Sequence, residues 1–491
     1  MNSSSNKVES TPRRSGNSRR RSLFRVAAVL LALSPLLIAE AALRIAGWKT
    51  PDESADPYIG FDEVYPLFEL DGNEEQYEIT RNRLAYFQPD NFSKKKEASG
   101  YRIFVLGGST VQGRPFSIET SFTTWLELSL RAADPTRNWE VVNCGGVSYA
   151  SYRLRPILQE VLRYEPDLII LYTGHNEFLE DRTFQNVKQT PQPVAKAHSV
   201  MSNSRTYSFC RSFWSTKAET KDRLPSEVDA MLDYEGGLKK YHRDEQWQQS
   251  VIADFRKNLQ KMIRMADDAN VPILMTNPVC NLRDCQPFKV ELSPQMHGLT
   301  RQFQNHWRKG STLAKNDPNS ALVALMEARA LDDSHAGVWW DLGRCHEKLG
   351  DFEKARVAYQ RAKDNDVCPL RITESMRDVI FEIARETGKS VVDLQIFFEN
   401  KSHDGIVGNQ WMLDHVHPTV DGHKVIARLF LDELVQLEVV QPIREWEIKQ
   451  RQLYQTHFKS LNYAYFARGR QRLEGLHLWT QGRSGQGKAA K

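Results

Sequence analysis

Tyr101-Arg102-Ile103-Phe104-Val105-Leu106-Gly107-Gly108-Ser109-Thr110 is the stretch on which the fold turns. Apart from Arg102, its first six residues are aliphatic or aromatic and do not alternate with polar ones. A short continuous run of this kind, stopped by a turn signal, reads as a strand buried on both faces. Gly107 and Gly108 let the chain turn tightly. Ser109 then stands either as the cap of a following helix or as a group presented at the strand's C-terminal end. The same punctuation recurs outward along the chain. Strand-like Glu140–Val142 runs into Asn143-Cys144-Gly145-Gly146, and Asp167–Tyr172 runs into Gly174-His175-Asn176-Glu177. Val271–Met275 and Ser390–Leu394 are two more strand-like runs. Helix-like stretches near 122–133, 152–164, 246–269 and 373–387 separate them. This alternation predicts an α/β fold with a doubly wound parallel sheet. In such a sheet the C-terminal strand ends share one edge, where ligands bind.

Chemistry-bearing residues follow those ends. A nucleophilic serine needs a base, a group that orients the base, and donors for the oxyanion. Ser109 is the candidate nucleophile. Asp414-His415-Val416-His417 offers the pair: in a helical turn, Asp414 and His417 share a face. The carboxylate could then hold the imidazole tautomer, as in a serine triad. His415 and His423 are local competitors. Gly145 offers a backbone N–H and Asn176 a side-chain amide to the oxyanion, beside the N–H of Ser109. Val111 occupies the last glycine position of Gly-x-Ser-x-Gly, which argues against an α/β-hydrolase elbow.

Together, these four blocks resemble the SGNH (GDSL-like) hydrolase superfamily in content and in chain order. The resemblance implies Ser109, Asp414 and His417 as the catalytic triad. It implies Ser109, Gly145 and Asn176 as the oxyanion hole, with Gly146 as an alternative to Gly145. It also implies a flavodoxin-like three-layer sandwich with a parallel five-stranded sheet, and chemistry that needs no metal or organic cofactor. Two departures stand out: Gly-Gly-Ser-Thr where Gly-Asp-Ser is usual, and Glu177 where an Asp is usual. The expected function is a serine esterase or acyl hydrolase working through an acyl-enzyme on an acyl ester, with a glycan or lipid ester open. An O-acyltransferase on a glycan is one alternative. A non-catalytic membrane scaffold, with a broken triad, is the other.

The organisation expected around this core is as follows. Residues 1–25 are a basic, disordered N-terminus and 26–43 a transmembrane signal anchor; a cleaved signal peptide is its rival. Residues 48–98 form an irregular spacer packing on the main domain. The hydrolase domain covers 100–302 and 367–438, with a poorly periodic insertion or lid near 180–245, and 439–491 is a basic C-terminal helix and tail. Between the two parts, 303–366 resembles a tetratricopeptide repeat. Trp339, Leu342, Gly343, Gly350, Ala355, Tyr359 and Ala362 sit at that motif's spacings. This helical insertion is expected either to dock on the hydrolase domain or to bind a protein partner.

Seven of the basic residues and one acidic residue lie in 1–25, leaving 59 basic against 61 acidic in 26–491. A body of that balance is not a nucleic-acid binder. Val26–Leu43 is near the roughly 20 apolar residues a membrane span needs, and arginines precede it. That places the N-terminus in the cytoplasm and the catalytic domain outside it, periplasmic in a bacterium. Among six cysteines, Cys280 and Cys285 are five apart and are expected to pair, while Cys144 and Cys345 read as buried filler.

Overall fold

In the computed structural model, the residues described are 66–183 and 241–480 apart from 297, together with 31, 34, 35, 37–45, 205, 206 and 238. Three short strands come first: β1 (Phe68–Leu70), β2 (Gln76–Ile79) and β3 (Asn91–Ser93). The central sheet follows, with β4 (Gly100–Gly107), β5 (Asn138–Gly145), β6 (Leu168–Tyr172), β7 (Ile273–Asn277) and β8 (Val391–Asp393). Its order is β5-β4-β6-β7-β8, and every pairing is parallel. That is the flavodoxin-like order. From β4 the chain steps to one side for β5, then returns across β4 for β6. The crevice at the C-terminal end of β4 is therefore the switch point, where open α/β sheets bind ligands.

Helices cover both faces. The first are α1 (Ser109–Gln112), α2 (Phe122–Ala133), α3 (Ser151–Val161), α4 (Glu177–Thr183) and α5 (Glu245–Asp268). An inserted set follows: α6 (Thr300–Leu313), α7 (Pro318–Leu331), α8 (Ala336–Lys348) and α9 (Phe352–Asp364). The last are α10 (Glu374–Thr387), α11 (Leu394–Lys401), α12 (Val420–Gln436), α13 (Trp446–Ser460) and α14 (Tyr463–Thr480). Successive strand residues point to opposite faces, and β4 divides accordingly. Phe104 and Leu106 pack with α3, α5 and α10 through Leu154, Phe255 and Ile380. Ile103 and Val105 pack with α2, α11 and α12 through Trp125, Phe398 and Phe430. The expected three-layer sandwich with five parallel strands is thus present.

Residues 66–98 are not the irregular spacer that composition predicts. Here β1, β2 and β3 form an antiparallel sheet. Phe68 and Phe92 meet edge to face at 5.0 Å and join Phe104 of the core. Five aromatic or aliphatic side chains supply this order in a polar segment: Leu67, Phe68, Ile79, Phe87 and Phe92 are all buried. Beside it the edge strand β5 is shielded by carboxylates. Glu127 accepts the Val141 N–H at 3.0 Å and Asp90 the Asn143 N–H at 2.7 Å. Edge strands left open invite pairing with other chains. A cavity of about 330 Å³ lies against this edge, away from the strand C-termini.

Helices α6 to α9 make two antiparallel hairpins. Gly310 and Gly343 allow the close approach: a Cβ would sit 2.6 Å from Leu325 in one and 2.7 Å from Tyr359 in the other. The insertion is docked. Ala355 and Tyr359 of α9 share an apolar cluster with Cys280, Leu282, Ile406 and Val416. Arg283 reaches Glu347 of α8 at 3.0 Å. Asp366 closes the insertion's root by accepting the N–H groups of Phe288, Lys289 and Cys368 at 2.7–3.0 Å.

The expected Cys280–Cys285 disulfide is absent, and both are free. Cys280 is buried, with its Sγ 3.6 Å from the Arg377 guanidinium. The Cys285 thiol turns instead to the Gln286 carbonyl. The Arg371 guanidinium ties the intervening turn by donating to the Asn281 and Cys285 carbonyls, both at 2.8 Å. Cys144 and Cys345 are indeed buried. The basic C-terminal helices also bury apolar side chains: Trp446, Tyr465 and Leu476. The Tyr454 hydroxyl bonds Ser129 Oγ at 2.6 Å.

The 1–25 tail, most of the 180–245 insertion and residues 481–491 lie outside the described residues. Residues 37–45 are helical and expose Leu37 and Ile38. Among the described residues, no helix is long and apolar enough to cross a membrane. The expected 26–43 span is described only in part.

Candidate active site

At the end of β4, the chain turns through Gly107 and Gly108 into α1, whose first residue is Ser109. The turn is crowded. A Cβ on Gly108 would lie 2.5 Å from Asn176 Nδ2, and one on Gly145 2.2 Å from the Gln112 nitrogen. Glycine is required at both places for the strand ends to converge.

The segment carrying His417 arrives from more than 300 residues away. It is not the helical turn that the Asp-x-x-His spacing predicts. Leu413 N–H donates to the His417 carbonyl at 2.8 Å, Thr419 N–H donates to that of Trp411, and Met412 bridges Pro418. Asp414 Oδ1 accepts the N–H groups of Val416 and His417 at 2.9 and 2.8 Å. An Asp that bonds its own downstream backbone favours a turn over a helix. Pro418 also keeps His417 out of the helical region.

The geometry still joins the three side chains. Asp414 Oδ2 lies 2.6 Å from His417 Nδ1, and His417 Nε2 lies 2.7 Å from Ser109 Oγ. All three residues are buried. Burial alone would raise the Asp414 carboxyl. The His417 and His415 imidazoles, with the hydrogen bonds from His417, instead hold it well below the usual carboxylate range. Asp414 is therefore ionised at neutral pH and accepts from Nδ1–H, which leaves Nε2 to accept the serine hydroxyl proton.

Of the competing histidines, His423 is structural. Its Nδ1 accepts the Phe122 N–H at 3.2 Å, and burial pushes its imidazole down to about 3. His415 lines the cleft beside His417. Burial takes it to about 4, against the opposing pull of Asp414, so it is neutral at pH 7. Glu177, the departure from Asp, accepts the Ser151 N–H and Oγ–H at 2.8 Å. It ties α4 to α3 and leaves the cleft to Asn176.

The oxyanion expectation needs correction at Gly145. Its N–H donates to Asn143 Oδ1 at 2.9 Å, and that of the alternative, Gly146, donates to the Gly107 carbonyl at 3.0 Å. Val147 and Tyr149 N–H groups are also engaged. Among the described residues, Ser148 is the one residue from Gly145 to Tyr149 whose N–H has no partner. It takes φ +61° and lines the cleft beside Ser109. Asn176 Nδ2 donates one hydrogen to the Tyr149 carbonyl at 3.1 Å, leaving a second available.

Sequence reasoning missed Ser148, because a serine carries no signal for a positive φ. It also missed Asn281. Its N–H donates to the His415 carbonyl at 3.0 Å, and its Nδ2 to that of Asp414 at 3.1 Å. Asn281 thus pins the His417 loop to the segment after β7. Thr110 Oγ1 secures the other side on the Val416 carbonyl at 3.2 Å. Among the described residues no group of acidic, histidine and cysteine side chains could hold a metal ion.

Residues 312–367 match the tetratricopeptide repeat family. Among solved structures, the chain is similar to a protein described as lipolytic, of the G-D-S-L family, from Desulfitobacterium hafniense. That match has 11% identity, covers 67% of this chain and 97% of that one, and has a TM-score of 0.30. It is also similar to Axe2, an acetylxylan esterase from Geobacillus stearothermophilus, at 14% identity over 70% of this chain and 96% of that one, TM-score 0.32. A third is the acetyl xylan esterase AlAXEase, at 12% identity over 68% and 99%, TM-score 0.32. No curated protein sequence matches the chain. The site's own geometry, not these likenesses, carries the chemistry.

Proposed function

We propose that this chain is a serine esterase or acyl hydrolase. The observation that carries the reading is the continuous relay from Asp414 through His417 to Ser109 Oγ, at 2.6 and 2.7 Å. It lies at the C-terminal edge of a parallel sheet. A scaffold with a disused site would have no need to keep three distant side chains in that alignment.

The steps follow from the positions. Ser109 Oγ attacks the ester carbonyl carbon as His417 Nε2 takes its proton. The oxyanion that forms is met by the N–H groups of Ser109 and Ser148 and by the free Nδ2 hydrogen of Asn176. Each such donor is worth about 10²–10³ in rate. Asp414 holds the ring's orientation and stabilises the imidazolium. His417 then protonates the leaving alkoxide, and water activated by the same ring resolves the acyl-enzyme.

The test is covalent. A serine-directed fluorophosphonate should label Ser109 alone, and His417→Ala should slow the labelling by orders of magnitude. Labelling that persists in Ser109→Ala would remove the assignment.

We further infer attachment to a membrane through residues 26–43, with the catalytic domain extracytoplasmic. The apolar run behind an arginine cluster supports this, as do the exposed Leu37 and Ile38. Release of the full chain by detergent but not by salt or carbonate checks it.

A further inference from the structure

We propose that Leu476, on the C-terminal helix α14, is a specificity-determining residue that restricts the Ser109 site to short acyl groups. This rests on the reading of Ser109 as the nucleophile and goes beyond it to the substrate class. Helix α14 is held on the rim of the site by a single stripe. Tyr465 OH accepts the Ser117 N–H at 3.2 Å and bonds Thr120 Oγ1 at 2.8 Å. Gly469 lies so close to Phe116 that a Cβ would overlap its ring. The Arg472 guanidinium donates to the Phe116 carbonyl at 2.8 Å. These positions, with Leu476 next in the series, are spaced by four, three and four residues, which is one face of a helix.

The stripe delivers Leu476 to the cleft. Its side chain is only 7% exposed, although half of the helix's described positions are exposed. His477 Nε2, 3.3 Å from the Leu413 carbonyl, fixes the end of the helix against the His417 loop. Val147, Leu179, Leu370 and Val416 line the same cleft as Leu476 and give it an apolar part, beside the polar Arg114, Ser148, Asn176 and His415. The cleft is partly open to solvent, and its room for water-sized groups is about 30 Å³. A water needs roughly 10–15 Å³ of such space, so the cavity takes about two groups of that size. A two-carbon acyl group fits, and a longer chain meets the Leu476 isobutyl group.

The experiment compares hydrolysis of p-nitrophenyl acetate and hexanoate by the full chain, with Ser109→Ala as background. Leu476→Ala should raise the hexanoate-to-acetate ratio of kcat/KM about tenfold or more, since one methylene of fit in an apolar pocket is worth about 10–200-fold. Leu476→Phe, which keeps the helix stripe apolar, should lower the ratio for butyrate over acetate. An active, folded Leu476→Ala enzyme with an unmoved ratio overturns the proposal and leaves the esterase reading standing. If Leu476→Ala does not fold, an unchanged ratio in Leu476→Phe overturns it equally. A wild-type chain that cleaves no ester, and whose Ser109 resists the fluorophosphonate, overturns both.

Discussion

Asp414 does two jobs with two oxygens. Oδ1 closes its own loop on the N–H groups of Val416 and His417, while Oδ2 holds His417 Nδ1. Asp414→Asn separates them. The amide can still accept the two backbone hydrogens through Oδ1, but it presents an NH₂ to the ring and favours the wrong tautomer. We expect kcat to fall by about 10⁴ with the melting temperature nearly retained, read by ester hydrolysis beside a thermal melt. A loss below tenfold would mean that His417 is oriented by other contacts. Nothing in the Asp-x-x-His spacing distinguishes this loop from a helical turn. Asp414's bonds to its own downstream backbone and Pro418 favour the turn locally, and Asn281 and Thr110, far off in sequence, pin it in place.

At the scale of elements, the insertion depends on Asp366. Its carboxyl is fully buried and accepts three N–H groups across the root between 288–289 and 368. Burial raises it to about 6, against the lowering effect of Arg371 and of those three donors. In the unfolded chain an Asp titrates near 3.9. The folded state therefore binds more protons between about pH 4 and 6. This group's stabilisation is full below that window and is lost as pH rises through it. Asp366→Ala should flatten that part of the pH profile of the denaturation midpoint. It should also destabilise at every pH, because buried N–H groups left without partners cost about 1–3 kcal/mol each. A wild-type midpoint that climbs from pH 4 to 6, relative to Asp366→Ala, would reverse the assignment.

For the molecule as a whole, the insertion and the site are one packed body. Tyr359 of α9 lies against Gly343, bonds Glu347 at 2.6 Å, and shares a cluster with Val416, the neighbour of His417. Gly343→Leu forces a side chain into that ring. It should cost about 1–3 kcal/mol by overpacking and lower kcat as well, because the shift travels through Tyr359 to the His417 loop. Denaturant titration and ester hydrolysis in parallel check this. A full-strength kcat in the destabilised variant would show that the insertion and the loop are uncoupled.

Much of this was legible in the residues themselves. The apolar runs ending in Gly-Gly-Ser, Asn-Cys-Gly-Gly and Gly-His-Asn imply buried parallel strands and place Ser109 and Asn176 at their ends. Backbone propensity and burial are local enough for sequence to specify. The spacing of Trp339, Gly343 and Tyr359 likewise implies packed helix pairs, since close approach depends on which side chains are small. Other features were settled only by the tertiary fold. Ser148 is left as the free donor because Asn143 of its own block takes the Gly145 N–H, while Gly107 and Tyr86, from elsewhere in the chain, take those of Gly146 and Val147. Cys280 and Cys285 are free thiols, with Cys280 Sγ beside the Arg377 guanidinium and the Cys285 carbonyl bonded by Arg371. Leu476 reaches the cleft through a helix stripe that reads, in sequence, as part of a basic tail. Each outcome depends on a partner brought from a distant part of the chain, and sequence separation does not encode which partner arrives.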